Sequence, residues 1–226
     1  MKSRFHVFTN LAISMDGKIT TRDRELFPLG SWKDHYFMDF HRARAHAVLM
    51  GAGTLRSFKN AVTVERSKFK SQRKRQGLTP NPINIVITSK PDFDVSWPFF
   101  KALNVQRVLA VPSTTPRRLT KKFESVASIF YFKNQSTFPK ELINHLHKYF
   151  DCKNLLLEGG GGTIFPFAKQ DLIDEWNITV TPKIVGGESA PTMVDGEGFL
   201  MKDIKTYRLK KLLRYKDELF LQYLKP

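Results

Sequence analysis

The 226-residue sequence contains a single cysteine, Cys152. One cysteine excludes an internal disulfide bond and a zinc site built from cysteines, so the chain does not need an oxidising compartment. No apolar run approaches the roughly 20 residues that span a bilayer. The first residues, Met1 to His6, lack the basic and then apolar pattern of a secretory signal. We therefore expect a cytoplasmic protein that has no membrane partner.

Acidic residues are also scarce, 21 against 37 lysines and arginines, which gives a formal net charge of +16. Such a charge is typical of a nucleic-acid-binding protein or of one that attracts a polyanionic small substrate or cofactor. We predict a solvated loop or short helix for the polar segment that holds six of the basic residues: Arg66, Lys68, Lys70, Arg73, Lys74 and Arg75. Most of the 19 phenylalanines lie in apolar runs elsewhere, which disfavours a nucleic-acid partner.

The six histidines do not follow a metal-binding pattern. His41 and His46 are five residues apart and His145 and His147 are two apart, whereas neighbours on a helix face are about three or four apart. We therefore predict no metal site.

Short apolar segments alternate with segments of helical period. The predicted strands span residues 5–12, 47–50, 83–88, 108–111, 155–157, 177–180, 207–213 and 218–224. The predicted helices span residues 31–47, with Ser31 as the cap and Asp34 in the first turn, 140–149 and 171–176. This alternation predicts an α/β fold with a mostly parallel sheet, flanking helices and a C-terminal antiparallel strand pair. We expect a single domain over residues 1–226.

The segment from Leu157 to Thr163 combines a strand end with a carboxylate, Glu158, and the four glycines 159–162. Glycines let backbone N–H groups approach an anionic ligand closely. If a helix begins near Thr163, its amino end adds partial positive charge at the same place. The segment is therefore a candidate site for a dinucleotide pyrophosphate, although a flexible surface turn is also consistent with it.

Two further predicted strands end in small or hydroxylated residues, at Gly51-Ala52-Gly53-Thr54 and at Thr88-Ser89-Lys90. Ligands bind at the carboxyl ends of strands in open α/β sheets, so the three ends can converge on one extended anion. The Rossmann spacing is absent because Ser57 stands where its third glycine is required, and the Walker A pattern is absent too. A phosphate-bearing cofactor held by another α/β arrangement is what these patterns favour.

Five motifs in this order resemble the dihydrofolate-reductase-like reductases of riboflavin biosynthesis. The motifs are Ser14-Met15-Asp16-Gly17-Lys18-Ile19, Gly51-Ala52-Gly53-Thr54, Leu157-Glu158-Gly159-Gly160-Gly161, Asp174-Glu175, and Pro182 to Gly187 with Ala190-Pro191. The resemblance implies a twisted, mostly parallel sheet, a homodimer, NADPH as cofactor and a phosphorylated ribosylaminopyrimidine as substrate. The implied reaction is hydride transfer to C1′ of the ribose, through an open-chain imine, to give a ribitylamino product.

The resemblance also assigns cofactor contacts to the three strand ends. Gly51, Gly53 and Thr54 would meet the phosphates, and Gly160, Gly161, Gly162 and Thr163 would cradle the pyrophosphate. Thr88, Ser89 and Lys90 would hold the adenosine 2′-phosphate. A lysine beside two hydroxyls suits a dianionic phosphate, which favours NADPH over NADH.

On the substrate side the resemblance assigns catalytic roles to Glu158, Lys18 and Asp16, and pocket positions to Asn10 and Ala12. Two alternatives remain open, because Asp16 is followed by a glycine and can simply shape a turn. Lys18 directly follows that turn and can simply be solvated.

The sequence departs from the family after the Gly51 motif. The riboflavin reductases usually carry Ala-Asp-(Asn/Asp)-Pro and then Leu-Thr-x-Arg, whereas this chain has Phe58 in place of the acidic residue and Glu65 in place of the arginine. Either Lys59 and Arg66 bind the substrate phosphate instead, or the substrate differs. The alternatives are a paralogous NADPH-dependent reductase of another carbonyl, imine or pterin, and a basic nucleic-acid-binding module. Because the single cysteine excludes the zinc deaminase signature, we expect a stand-alone reductase.

Overall fold

A nine-stranded sheet forms the centre of the protein in a computed structural model that describes residues 4–25 and 27–226. The strands are β1 (His6–Ser14), β2 (Ala47–Gly51), β3 (Ile83–Ile87), β4 (Arg107–Pro112), β5 (Ser128–Phe132), β6 (Asn154–Leu157), β7 (Glu175–Thr181), β8 (Arg208–Tyr215) and β9 (Glu218–Leu224). The helices are α1 (Trp32–Arg44), α2 (Ala52–Phe58), α3 (Ser67–Arg75), α4 (Pro98–Lys101), α5 (Arg117–Thr120), α6 (Phe138–Phe150) and α7 (Gly161–Lys169). Two short 3₁₀ turns cover Lys121–Phe123 and Met201–Asp203.

The strand order is β5-β4-β3-β2-β6-β1-β7-β9-β8. The first seven strands in this order run parallel, and β9 and β8 add the antiparallel pair at one edge. Parallel neighbours need crossover connections, which explains the intervening helical segments. The predicted fold class is confirmed.

Alternating side chains of the central strands fill two cores, one on each face of the sheet. In β2, Leu49 belongs to one core, while Val48 and Met50 belong to the other. The first core contains Leu142 of α6 and Ile164 of α7. The second core contains phenylalanines from the connections around β4, namely Phe93, Phe99, Phe100 and Phe123. Burial on both faces is the reason why these strands read as continuous apolar runs.

Several predicted elements are confirmed, and others need correction. The Ser31 hydroxyl caps α1 by accepting a hydrogen bond from the Lys33 N–H at 3.1 Å. The helix predicted over residues 171–176 is wrong, because Asp171 has a left-handed φ of 54° and β7 already begins at Glu175. Helix α1 ends at Arg44, before the predicted residue 47, since Ala45 is extended. Strand β5 was not predicted.

The basic segment is a short helix, α3, and it is only partly solvated. Lys68, Lys70 and Lys74 are exposed, whereas the side chain of Arg73 is fully buried. Phe69 on the same helix is 5% exposed and packs with Val64 and Ala43. The expectation of a solvated segment is therefore wrong at Arg73 and Phe69, because one face of α3 packs on α1.

Candidate active site

The carboxyl ends of β2, β3 and β6 open into one cleft of about 820 Å³. All ten residues that the sequence assigned to the cofactor line this cleft: Gly51, Gly53, Thr54, Thr88, Ser89, Lys90, Gly160, Gly161, Gly162 and Thr163. The register of the parallel strands brings these ends together, because β2 pairs with β3 on one side and with β6 on the other. A cleft of this size matches the volume of small-molecule and cofactor sites.

The glycines of the cleft differ in how much space a side chain would have at their positions. A Cβ on Gly51 would lie 2.6 Å from Thr163 Oγ1, and one on Gly161 would lie 2.3 Å from the backbone nitrogen of Asp195. These two glycines therefore allow the strand end and the loop before residue 195 to pack on α7. A Cβ on Gly162 would meet no atom within 4 Å. Gly160 is the N-cap of α7 and has no side chain, so the N-cap residue leaves the first N–H groups of this nine-residue helix without a side-chain partner.

Cationic side chains line the same end of the cleft as the Thr88 motif. Thr88 Oγ1 accepts a hydrogen bond from the Lys90 N–H at 3.0 Å and donates one to the Lys90 carbonyl at 2.8 Å, which shapes the turn. Arg56 lies beside this turn and pairs with Asp92 at 2.6 Å. Arg24 lines the cleft as well. Arg24 and Arg56 were not predicted from the sequence, because neither belongs to a strand-end motif.

Glu158 lines the cleft and is held by Arg42. Arg42 Nε donates to both carboxylate oxygens at 3.0 Å, and Nη2 donates to one of them at 2.8 Å. Both side chains are about one-tenth exposed. Burial by itself would lower the pKa of Arg42, but the Glu158 carboxylate raises it above its ordinary value. The pair is a bidentate, charge-assisted contact that fixes the direction of the carboxylate.

Asp34 is a second carboxyl group that lines the cleft. It is 8% exposed, and this burial raises its pKa, while a hydrogen bond with Thr179 opposes the shift. The negative charges of Glu218 and Glu158 raise the pKa further. The cleft therefore contains one carboxylate that is fixed by an arginine and one carboxyl group that holds its proton more firmly than an ordinary aspartate.

Neither Arg42 nor the functional position of Asp34 was predicted from the sequence. Both lie on α1, where Asp34, Met38 and Arg42 follow one another at intervals of four residues. Such spacing places side chains on one face of a helix. Asp34 and Met38 line the cleft and Arg42 reaches Glu158. Two charged residues on one face of the predicted helix, Asp34 and Arg42, were the signal that could have identified them.

The other predicted substrate residues divide into two groups. Asn10 and Ala12 line the cleft. Asp16 does not, because it accepts hydrogen bonds from the Ser14 hydroxyl at 2.6 Å and from the N–H groups of Val185 and Gly186 at 3.1 and 2.7 Å. These donors lower the pKa of Asp16 to about 2. The structure thus gives Asp16 the turn-shaping position that the sequence left open.

Lys18, Lys59 and Arg66 also lie outside the residues that line the cleft. Lys18 Nζ donates to the carbonyl oxygen of Ala190 at 3.0 Å. Lys59 is the C-cap residue of α2 and has a left-handed backbone conformation with a φ of 55°. The Arg66 guanidinium lies 3.4 Å from the Asp39 carboxylate. None of these three side chains lines the cleft. Their contacts with a substrate stay predictions, which this geometry does not favour.

Within residues 4–25 and 27–226, no group of three or more His, Cys, Asp or Glu side chains is arranged to hold a metal ion. In the same residues, each helix is too short or too polar to cross a membrane.

A model of the family described as the RibD C-terminal domain matches residues 5–221. The chain is 30% identical over 201 residues to the 2,5-diamino-6-ribosylamino-4(3H)-pyrimidinone 5′-phosphate reductase of Archaeoglobus fulgidus, covering 88% of this chain and 90% of that protein. This sequence match has nearly full coverage on both sides.

Solved structures show the same fold at lower sequence identity. Acinetobacter baumannii RibD matches 99% of this chain with a TM-score of 0.79 and 16% identity, and the match spans 58% of that longer chain. A dihydrofolate reductase from Enterococcus faecalis, in a complex with NADP(H), matches 98% of this chain with a TM-score of 0.53 and 13% identity. At these identities the likeness concerns the fold alone.

Proposed function

The chain belongs to the RibD C-terminal domain family, and we propose from this premise that it reduces a ribosylaminopyrimidine 5′-phosphate to the ribitylamino product in riboflavin biosynthesis. The relative from Archaeoglobus fulgidus is named for reduction of the 2,5-diamino pyrimidinone, which is therefore the first substrate to test. The observation that carries the proposal is the convergence of three strand ends on one cleft, where Glu158, at the end of β6, is held by Arg42.

We propose NADPH as the cofactor. Three features of the cleft support it: the amino end of α7, which has no side-chain cap, the position of Gly162, where a Cβ would meet no atom, and the cations Arg24, Arg56 and Lys90. An extended anion with several phosphates needs this combination of N–H donors and cationic side chains. Lys90 and Ser89 are exposed at the turn beyond β3, where they would hold a 2′-phosphate. When bound, the cofactor supplies the hydride.

Asp34 of α1 and Glu158, which follows β6, would then act on the substrate. Reduction of an open-chain imine adds a hydride to C1′ and a proton to the attached nitrogen, so the site needs a proton donor. Asp34 fits this role because burial raises its pKa and it lines the cleft. Glu158 is fixed by Arg42, so we assign it to binding of the sugar hydroxyls or of the pyrimidine ring.

The test is an assay of the purified chain with NADPH and the diamino substrate, followed by the loss of NADPH absorbance. We expect turnover that falls steeply in Glu158→Gln, with NADPH binding retained. NADPH binding without turnover of this substrate would favour the paralogous reductase. The loop from Phe58 to Arg66 is the observation behind that alternative, since Lys59 and Arg66 do not line the cleft to replace the family's phosphate contacts.

We further propose a cytoplasmic homodimer that binds no nucleic acid. The outer face of the C-terminal strands supports the dimer. Apart from Arg214, which pairs with Leu219 at the edge of this face, the residues paired in register there are apolar: Trp176, Ile178, Val180, Leu209, Leu212, Leu219, Leu221 and Tyr223. Leu209 and Leu212 are 51% and 56% exposed. Beside them lies an apolar cavity of about 490 Å³, lined in part by Trp176 and Ile204. A continuous apolar sheet face of this kind suits a symmetric contact with a second copy.

Light scattering on a sizing column tests the dimer. We expect twice the chain mass of 26.1 kDa for the native protein. Leu212→Glu should give a monomer, whereas Leu103→Glu should remain dimeric, because Leu103 is 85% exposed on the connection before β4. A native monomer, or equal behaviour of the two variants, would remove this face as the contact.

A further inference from the structure

Arg73 in α3 is a buried cation that is bound by carbonyl oxygens. Its side chain has no exposed surface. Its Nη1 donates to the carbonyls of Arg42, Ala43 and Ala45 at 3.2, 3.2 and 2.5 Å, and its Nε donates to the carbonyl of Thr79 at 2.7 Å. Burial lowers the pKa of Arg73 to about 10, which still leaves it charged at neutral pH.

Three of the four acceptors are at the carboxyl end of α1. The last carbonyls of a helix lack partners within the helix and carry partial negative charge. The carbonyl of Arg44, which lies between these acceptors in sequence, accepts a hydrogen bond from the Asn154 side chain at 3.0 Å. Arg73 is thus a cap for α1 that is supplied by another helix.

A second contact joins the middle of α1 to the beginning of α3. The carboxylate of Asp39 on α1 accepts hydrogen bonds from the N–H groups of Glu65 and Arg66, at 2.7 and 2.9 Å, where α3 begins. Phe69 of α3 also packs on Tyr36 and Phe40 of α1. Each helix therefore caps the other, and an apolar contact holds them together.

The capped end of α1 also carries the ion pair of the cleft. Arg42 offers its carbonyl to Arg73 and its guanidinium to Glu158. A shift of this turn would move the donor groups that hold the Glu158 carboxylate. The Arg42 side chain directly connects the backbone that Arg73 binds with the guanidinium that holds Glu158.

We propose that Arg73 is a positioning residue for the reductase, which fixes the carboxyl end of α1 so that Arg42 holds Glu158 toward the substrate. The inference rests on the proposed function, since the pair acts on substrate there. It also gives the basic helix α3 a role within the fold that does not require a nucleic-acid partner.

The test compares Arg73→Met with Lys74→Met, a matched control on the exposed face of the same helix. Each is made in the native chain and in Glu158→Gln, and both the substrate dissociation constant and kcat/KM are measured. If Arg73 acts through Glu158, Arg73→Met should lower kcat/KM and weaken substrate binding about tenfold in the native chain, and less than about twofold in Glu158→Gln. NADPH affinity should change less than about twofold, and Lys74→Met should behave as the native chain.

Equal losses in the two backgrounds would overturn the proposal, because they would show a general structural effect. Equal losses in Arg73→Met and Lys74→Met would overturn it too, in favour of surface charge. If Arg73→Met does not fold, Arg73→Lys provides the same comparison, because lysine keeps the charge but loses the guanidinium fork. A native chain without NADPH-dependent reduction would defeat the proposed function instead, which separates the two failures.

Discussion

Replacing Arg42 with methionine removes the partner of a buried carboxylate. Glu158 is 8% exposed and would lose three hydrogen bonds of 2.8 to 3.0 Å. Breaking one side of a buried ion pair costs about 3–5 kcal/mol, because the remaining charge is left without compensation. In a chain of 226 residues, 1 kcal/mol corresponds to about 2–4 °C in Tm. We therefore expect Arg42→Met to lower Tm by about 10 °C and to lower kcat/KM strongly.

The double variant Arg42→Met/Glu158→Leu separates stability from function. Replacing both members of a buried pair by apolar residues is often neutral or stabilising. We expect urea unfolding to return close to the native midpoint, while reduction of the substrate stays lost. If Arg42→Met keeps the native Tm, or if the double variant regains activity, the pair does not have the position and role assigned to it.

Lys90, Asp34 and Gly161 line other parts of the cleft. Lys90→Ala should weaken NADPH about tenfold, as expected for loss of a charge-assisted contact, and leave NADH unchanged in fluorescence titrations; equal losses would remove the 2′-phosphate contact. Burial raises the pKa of Asp34 above its ordinary value of 3.8. Ionisation of Asp34 therefore destabilises the folded state as the pH rises from the pKa of the unfolded chain toward the higher pKa of the folded chain. Asp34→Asn should therefore be more stable than the native chain at neutral pH by thermal unfolding, yet slower in turnover and without the fall in kcat toward alkaline pH. Gly161→Ala should lower Tm, since its Cβ would lie 2.3 Å from the Asp195 nitrogen, whereas Gly162→Ala, which meets no atom, should not.

The local sequence was sufficient for much of the framework. The strands at 47–50, 83–88 and 108–111 were predicted because burial on both faces makes them continuously apolar. The glycines and hydroxyls that follow three strands are adjacent in sequence to the apolar runs, so their position at strand ends could be predicted too. The helix predicted over 171–176 failed because Asp174 instead accepts a hydrogen bond from the Val7 N–H at 2.8 Å, a contact that spans 167 positions.

The chain's own order of residues thus determined the α/β class and the three phosphate-binding candidates, because propensity, period and turn chemistry act over a few neighbouring residues. Tertiary structure decided the part of the cleft around Glu158 and Asp34. Arg42 and Glu158 are 116 positions apart, and Arg73 reaches the end of α1 from a separate helix. Only the packing of α1 and α3 against the sheet sets these distances, and it also determines which charges are buried and which carboxyl group holds its proton.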